Sequence, residues 1–226
     1  IDGGSNLNHI EFLKENSKKD KRISWVNQEK KYKGIYGAMN QGISYSKRDD
    51  WVLFWGSDDK AASKNSLNWI SETIKKKNKL EPYLLISNGR YLNNDTLLIE
   101  RDSFFLNNKI TKIINNKYFS FLLFIGYSPP HQGTIFSPAA ISDKKIFDEN
   151  YDIAADIKYF LRLSSKKEAK ICCLNKITVL IGNGGFSSIY TRRKIQQVLK
   201  AYYLRFGLFS FIPFLLRYSR KLMTLF

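Results

Sequence analysis

Apolar residues over residues 1–190 follow two alternating patterns, one helical and one typical of buried strands. Apolar positions three or four residues apart predict helices that contain Ile35 and Met39, or Ile70 and Ile74, and the continuous apolar run at residues 51–55 predicts a strand. Because such alternation is typical of parallel sheets, we predict an α/β domain. Further strands are predicted at residues 23–26, 83–87 and 96–99 and as a pair within 171–181, with a turn at Asn88 and Gly89. Further helices are predicted after a cap at Ser5 or Asn6 and over 153–161.

The character of the chain changes beyond residue 190. Ile195, Val198 and Tyr202 share one face of a helix, and arginine and lysine residues flank that face. This is the pattern of a basic amphipathic helix. We therefore expect a domain over residues 1–190 and a basic, membrane-associating tail over residues 191–226.

An apolar block inside this tail, residues 206–216, bears on how the tail meets a membrane. It is only 11 residues long and contains Pro213, so it is too short to cross a bilayer as one helix. It can lie in the membrane interface. The alternative is a C-terminal helix that packs on the domain's own core or on a partner subunit.

Composition narrows the classes of partner. The 226 residues are 43% hydrophobic, which is enough for a core of ordinary size. The net charge of +17 attracts a polyanion such as nucleic acid, nucleotide phosphates or an anionic bilayer surface. Some of that charge belongs to an ordinary lysine-rich solvated surface, and no RNA-binding motif is recognisable, so we expect no nucleic-acid partner.

Two local features bear on the redox compartment of the protein and on the structure expected before Ile1. Cys172 and Cys173 are adjacent and poorly placed for an ordinary disulfide, which favours a reducing compartment. Residues 1–5 have the pattern of a strand that enters a turn, and no methionine precedes them. We therefore expect a further strand before Ile1.

Asp58 and Asp59 are the first candidates for chemistry. They follow the predicted strand through Gly56 and Ser57, so two carboxylates lie at the carboxyl end of a strand, where open parallel sheets bind ligands. Hard cations such as Mg²⁺ and Mn²⁺ take oxygen ligands. The alternative is a plain turn, because Gly-Ser-Asp-Asp is also favourable loop chemistry.

Five separated motifs share an order and spacing with a known family. They are Ile-Asp-Gly-Gly-Ser at residues 1–5, Lys-Gly-Ile-Tyr-Gly-Ala-Met-Asn-Gln-Gly-Ile at 33–43, Ser-Asp-Asp at 57–59, His-Gln-Gly at 131–133 and Ile-Ala-Ala-Asp at 153–156. Together they resemble the family-2 inverting glycosyltransferases, and the second motif is close to a signature of bacterial polysaccharide-type members. The resemblance implies a GT-A type fold: a Rossmann-like, mixed and mostly parallel sheet flanked by helices, with the C-terminal amphipathic helical tail beyond it.

The resemblance places the acid pair at the nucleotide-sugar donor. In such enzymes a DXD-like element bridges a divalent ion, Mn²⁺ or Mg²⁺, to the donor diphosphate. This implies Asp59 as the metal ligand and Asp58 as its companion at both the metal and the donor. The ion offsets the charge that builds up on the departing nucleoside diphosphate.

The other motifs imply further donor contacts. In relatives the turn that contains Asp2 lies beside the nucleobase and ribose; the alternative for Asp2 is turn capping. Asn40 lies on a helix near the donor, where it either orders the site or is structural. The full implied donor-binding set is Asp2, Gly4, Ser5, Lys33, Asn40, Asp58, His131 and Gln132, the last two in a loop beside the pyrophosphate and the acceptor.

Asp156 is the implied general base. An inverting transfer needs a carboxylate that takes the proton of the acceptor hydroxyl, and the family carries an aspartate on this helix. The alternative is an acid favoured by the macrodipole at a helix start, which would also explain Asp152. A late string at residues 184–187 resembles either a family loop that closes on the donor or a simple turn.

The sequence thus predicts a metal-dependent inverting glycosyltransferase of surface-glycan biosynthesis. It would move a hexosyl or N-acetylhexosaminyl group from a nucleotide-diphosphate sugar to a saccharide or lipid-linked acceptor. We expect it to be cytoplasmic and peripheral on the anionic inner face of the cell membrane. The second hypothesis is an inactive relative that acts as a binding or scaffold protein, because Leu7, Tyr32 and Gly37 replace acidic residues that the family often carries.

Overall fold

The computed structural model describes residues 1–93, 96, 98–106, 109–183 and 191–223. Its helices are α1 (Leu7–Lys19), α2 (Gly34–Ser44), α3 (Ser66–Lys77), α4 (Asn116–Phe124), α5 (Ala155–Leu163), α6 (Thr191–Phe206) and α7 (Phe211–Met223). Its strands are β1 (Val52–Leu53), β2 (Lys60–Ala61), β3 (Leu84–Asn93), β4 (Ile99–Ser103), β5 (Lys112–Ile114), β6 (Thr134–Phe136) and β7 (Ile171–Asn183). Short 3₁₀ turns occur at Asn78–Leu80, His131–Gly133 and Gly207–Ser210.

The described strands form one mixed sheet. Its path is β1-β6-β3-β7-β2, and β4 and β5 pair with β3 and β7 off this path. β3 and β7 form a long parallel pair, whereas β6 runs antiparallel to both β1 and β3. β1, β3 and β7 therefore share one direction. This mixed sheet with flanking helices confirms the predicted fold class.

Side chains of β3 alternate between two apolar layers, as the two-residue period of a strand requires. Leu84 and Ile86 lie in the larger layer together with residues of α2, α4, α5 and α6. Leu85 lies in the smaller layer with Ile70 of α3. Helices therefore cover both faces of the sheet.

Side-chain caps fix the starts of two helices. Asn6 Oδ1 accepts a hydrogen bond from the His9 N–H at 3.0 Å, so Asn6, one of the two predicted caps, starts α1. Asn115 Oδ1 accepts from the Tyr118 N–H at 2.9 Å and starts α4 in the same way. Asparagine is among the preferred residues at this position because it satisfies a backbone donor that the helix leaves unpaired.

Several predicted strand boundaries are wrong. In place of a strand at residues 23–26 there is an isolated bridge between Asp2 and Asn27. A turn predicted at Asn88 and Gly89 lies inside β3, where a shift in register accommodates it. The predicted strand pair within residues 171–181 is the single strand β7, and the sequence patterns predict neither β5 nor α4.

The two C-terminal helices form a hairpin that packs on the domain. The helix breaks at Gly207, whose φ is 60°, and α6 packs on α5 while α7 packs on α4 and α6. Val198 and Tyr202 of α6 belong to the larger core. Within the described residues, Arg192–Arg220 is long and apolar enough to cross a membrane by length and composition alone.

Candidate active site

Four of the five aspartates that the sequence singled out line one cleft, and Asp2 is the exception. This cleft has a volume of about 640 Å³. Asp58 and Asp59 line it from the turn after β1, His131 and Gln132 from the turn before β6, and Asp156 from α5. The fold therefore brings together three segments that are far apart in the chain.

The turn after β1 holds the acid pair in a fixed geometry. The Gly56 N–H donates to Asp59 Oδ2 at 2.6 Å, and the Asp59 N–H donates to the Gly56 carbonyl oxygen at 3.2 Å. A Cβ on residue 56 would lie only 2.8 Å from Asp58 Oδ1, so a larger residue there would displace the carboxylates. The other oxygen, Asp59 Oδ1, is buried without a hydrogen-bond partner among the described residues.

Burial raises the pKa of Asp59 to about 6, and the nearby charge of Asp58 adds to the rise. Desolvation disfavours the charged carboxylate, so in the folded protein Asp59 keeps its proton to a higher pH than in the unfolded chain. Its ionisation therefore costs the folded state stability as pH rises from about 4 to about 6.

We expect Asp59→Asn to raise the melting temperature of the metal-free protein at pH 8 and to change it little at pH 4. At pH 4 the folded wild-type protein already carries a neutral group at this position. Thermal denaturation followed by circular dichroism in EDTA measures both values. The exposed Asp49→Asn is the matched control, and an equal shift for Asp59→Asn at the two pH values would contradict the assignment of a buried charge.

The donor set of the cleft fits a hard divalent cation that is bound together with a phosphate. The described residues contain no group of three His, Cys, Asp or Glu side chains placed to hold a metal ion. Mg²⁺ is commonly held by one or two carboxylates, with water and substrate phosphates as the remaining ligands. The unpartnered Asp59 Oδ1 and its neighbour Asp58 are donors of this kind.

A tyrosine from the second motif orients Asp156. The Tyr36 hydroxyl lies 3.0 Å from the Ile153 carbonyl oxygen and 3.1 Å from Asp156 Oδ1, and these two acceptors share its single proton. Burial, together with the charge of Asp156, raises the pKa of Tyr36 well above its usual value. Tyr36 is therefore a permanent donor that fixes one oxygen of Asp156 and leaves the other available to the cleft.

Helix α6 holds the segment that leads into α5. Gln197 Oε1 accepts from the N–H groups of Ile153 and Ala154 at 3.0 and 3.3 Å, and its Nε2 donates to Asp152 at 2.5 Å. Arg193 forms a salt bridge with Asp152 at 2.6 Å. The C-terminal region thus positions the first turn of the helix that carries Asp156.

His131 lies in an aromatic environment inside the cleft. Its ring stacks on Phe54 at 5.8 Å between centroids and meets the edge of Phe147 at 5.6 Å. Burial lowers its pKa, although Asp156 opposes this, so the imidazole is neutral at pH 7. Neither ring nitrogen has a hydrogen-bond partner among the described residues, and a neutral imidazole offers one donor and one acceptor to a ligand.

Four cationic side chains also line the cleft, and sequence reasoning missed them as site residues. They are Arg101 of β4, Lys194 of α6, and Arg217 and Arg220 of α7. The available signal was the spacing of Arg217 and Arg220, which puts both on one helix face, away from the apolar face. Tyr36 and Gln197 were missed as well, although Tyr36 lies inside a quoted motif.

The remaining residues of the predicted donor set do not line this cleft. Asp2 accepts from the Gly4 and Ser5 N–H groups and from the Ser5 hydroxyl, which is the turn-capping geometry left open above. Lys33 precedes α2, and its N–H donates to Glu149. Asn40 is fully buried, and both ends of its amide bond the backbone of Phe147.

The residues that depart from the family pattern also lie away from the cleft. Leu7 is exposed on α1, while Tyr32 and Gly37 pack against each other at the start of α2. None of the three is among the described residues that line the cleft. The string at residues 184–187 lies outside the described residues.

Comparison with known families explains the order of these motifs. The sequence model of the family described as Glycosyl transferase family 2 matches residues 1–146. The chain belongs to this family. The match includes the acid pair, His131 and Gln132, while Asp156 lies just beyond it. A search of curated proteins finds no match.

Solved structures confirm the GT-A type fold of this family-2 chain. The crystal structure of S. aureus TarS superposes with a TM-score of 0.57 at 15% identity, covering 91% of this chain and 34% of TarS. The structure of S. aureus TarS 1–349 in complex with UDP superposes with a TM-score of 0.61 at 15% identity, covering 95% of this chain and 58% of that one. The chain thus spans between a third and three fifths of these two structures.

Proposed function

We propose that this family-2 protein is an inverting glycosyltransferase that moves a sugar from a nucleotide-diphosphate donor to a saccharide or lipid-linked acceptor. The observation that carries the proposal is the shared cleft, in which Asp58 and Asp59 face the same cavity as Asp156. The family-2 match and the UDP complex of the structural neighbour support a nucleotide-sugar donor.

In the proposed reaction Asp156 is the general base. It accepts the proton of the acceptor hydroxyl as that oxygen forms a bond to the anomeric carbon. The bond from this carbon to the diphosphate oxygen breaks on the opposite face, the nucleoside diphosphate leaves, and the configuration inverts. Tyr36 holds one oxygen of Asp156, and Gln197 fixes the loop before it, so the base is positioned before the acceptor arrives.

The acid pair and the histidine loop form the donor side of the site. Asp59, with Asp58 beside it, would hold Mn²⁺ or Mg²⁺, and this ion would offset the charge of the leaving diphosphate. His131 and Gln132 lie in the same cleft, and the neutral His131 can donate a hydrogen bond to a phosphate oxygen. The assignment of Asp2, Gly4, Ser5, Lys33 and Asn40 to the donor stays a prediction.

The proposal also covers the type of sugar that is transferred and the type of product that is made. The motif at residues 33–43 resembles that of bacterial polysaccharide-type members, which favours hexosyl or N-acetylhexosaminyl transfer in surface-glycan assembly. The test is to incubate the protein with Mn²⁺ and a panel of UDP-, GDP- and dTDP-sugars and to measure release of the nucleoside diphosphate. Turnover of one donor supports the enzyme. Absence of both turnover and nucleotide binding would favour the scaffold hypothesis.

The outer face of the C-terminal hairpin supports docking on an anionic membrane surface. Leu208 and Phe209 at its tip are 82% and 68% exposed. Leu204, Phe211 and Leu215 are also exposed on the adjoining helices. An apolar edge with a basic helix beside it is the pattern of interfacial insertion, and it supports our proposal that the protein is peripheral on the anionic cytoplasmic face of the membrane.

We expect the double variant Leu208→Asp/Phe209→Asp to lose binding to vesicles that contain phosphatidylglycerol. Burial of two large apolar side chains is worth about 3 kcal/mol or more, so the apparent affinity should fall by roughly a hundredfold. Vesicle co-sedimentation measures this affinity. The control is Leu67→Asp, an exposed leucine on α3. Equal binding by the double variant and the wild type would show that the hairpin tip does not insert.

A further inference from the structure

The cleft has a cationic wall, which we define as Arg101, Lys194, Arg217 and Arg220; the C-terminal hairpin supplies the last three and β4 supplies Arg101. Two of these side chains are held by aromatic rings. The Arg220 guanidinium lies 3.6 Å from the ring centroid of Tyr127, and the Arg101 guanidinium lies 3.8 Å from that of Tyr91. Stacking fixes the guanidinium plane while its edge remains able to donate hydrogen bonds.

Arg217 is the most unusual member of the cationic wall. It is only 9% exposed, and its Nε has no hydrogen-bond partner among the described residues. It forms no salt bridge with a described residue. Its guanidinium donates a hydrogen bond to the Tyr202 hydroxyl and its charge acts on the Tyr218 hydroxyl, and both hydroxyls are neutral. Because a buried cation without an anion is costly, this arrangement points to an anionic ligand.

Packing of α7 fixes Arg217 in this position. A Cβ on residue 126 would lie 2.6 Å from both the backbone nitrogen and the Cα of Arg217. Gly126, with a φ of 89°, therefore lets the helix approach the loop before the histidine turn closely. The backbone of Arg217 is therefore fixed by its close packing against the domain.

The cationic wall lies on the Asp156 side of the cleft. Lys194 lies one turn before Gln197 on α6, and Gln197 bonds the N–H groups that lead into the helix of Asp156; Lys194 and Asp156 line the same cleft. Burial lowers the pKa of Lys194; Asp156 opposes that effect, and Arg217 and Arg101 add to it. The charged group that acts on Asp59 is instead Asp58. The cations therefore gather around the proposed general base, where the acceptor would enter.

We propose that the cationic wall binds a phosphate group carried by the acceptor, in a subsite separate from the donor diphosphate. The proposal rests on the proposed transferase function, because that function makes the Asp156 side the acceptor side. Arginine suits this ligand because its fork of donors matches phosphate oxygens in a bidentate arrangement. The acceptor phosphate would place a nearby hydroxyl against Asp156.

The same helix connects this subsite to the membrane-facing surface. On α7, Arg217 and Arg220 line the cleft, whereas Phe211, Ile212 and Leu215 are exposed on the outer face. A phosphate bound by the inner face of α7 would therefore lie within one helix diameter, about 10 Å, of the apolar outer face of the same helix. This arrangement suits a phosphate joined to a lipid, and a soluble phosphate ester has the same headgroup chemistry.

The test measures binding of octyl phosphate in EDTA, with octyl glucoside as the uncharged control. Calorimetry should show octyl phosphate binding to the wild type and at least tenfold weaker binding to Arg217→Gln/Arg220→Gln. The control Arg192→Gln, an exposed residue of α6, should bind like the wild type. The affinity of the double variant for UDP with Mn²⁺ should stay within twofold of the wild type.

If circular dichroism shows that the double variant does not fold, Arg220→Gln alone is compared with Arg220→Lys. The lysine variant should then retain more octyl phosphate binding.

Each outcome decides a separate question. Tighter binding of octyl phosphate than of glycerol 3-phosphate supports a lipid source for the phosphate, and equal binding supports a soluble phosphate ester. Equal octyl phosphate binding by wild type and double variant overturns the subsite. A parallel loss of UDP–Mn²⁺ binding in the double variant overturns it too, because the cations would then hold the donor. If the wild type binds octyl phosphate but no nucleoside diphosphate, the donor assignment fails and the anion site stands.

Discussion

Asp156→Asn should abolish sugar transfer while leaving donor binding intact. The amide cannot accept the proton of the acceptor hydroxyl, and loss of a general base typically lowers kcat by roughly 10²- to 10⁴-fold. The Tyr36 hydroxyl can still donate to the amide oxygen, so the local structure is retained. The measurement is kcat for transfer beside the Kd for UDP with Mn²⁺, which should change less than twofold.

Two variants make this test specific. Asp102→Asn replaces another acid of the same cleft, whose carboxylate is already engaged by Arg90, and it should retain most of the activity. Tyr36→Phe removes one hydrogen bond to Asp156 and should lower kcat about tenfold, because such a bond contributes a net free energy of about 1.4 kcal/mol. Full activity in Asp156→Asn would remove Asp156 from the mechanism.

Asp59→Asn should lose metal-dependent nucleotide binding. A neutral amide is a poor ligand for a hard divalent cation, and loss of a direct ligand should exceed the roughly 10- to 100-fold effect typical of outer-shell partners. Because the pKa of Asp59 is raised to about 6 by burial, binding by the wild type should also weaken as pH falls below 6, when a proton competes with the metal. Calorimetry with UDP and Mn²⁺ from pH 5 to pH 8 measures both effects.

The exposed Asp49→Asn serves as the control for charge, and UDP without metal serves as the control for direct nucleotide contacts. The Asp59→Asn variant should bind UDP equally with and without Mn²⁺. If Mn²⁺ still increased the affinity of the Asp59→Asn variant for UDP, the ion would bind elsewhere in the protein.

The sequence predicted the parts of the fold that depend on local pattern. Helices α1, α2, α3 and α5 follow from apolar periodicity and capping, since those signals act within a few residues. The direction of β6 and the long pairing of β3 with β7 depend on contacts between distant segments. β5 has only three residues, and the apolar residues of α4 are nearly continuous, so neither element shows a period that a pattern could identify.

The candidate site also contains residues that local sequence pattern predicted and residues that it did not. Asp58, Asp59, His131, Gln132 and Asp156 were found because they lie in motifs, and the fold brings them to one cleft. Arg217 and Lys194 were not found, because their helices have the pattern of a surface tail. Only the packing of the hairpin on α4 and α5 shows that one face of this region completes the cleft. The amphipathic pattern predicted the helices but not which polar residues face inward.

The most direct test of the central claim is an anomalous difference map from crystals grown with UDP and Mn²⁺. The claim is that one cleft holds a metal-bound nucleotide beside a general base. We expect a manganese peak about 2.1 to 2.3 Å from a carboxylate oxygen of Asp59, with the diphosphate on its other side and the Asp156 carboxylate facing the same cavity. A peak at another surface, or a nucleotide bound away from Asp156, would contradict it.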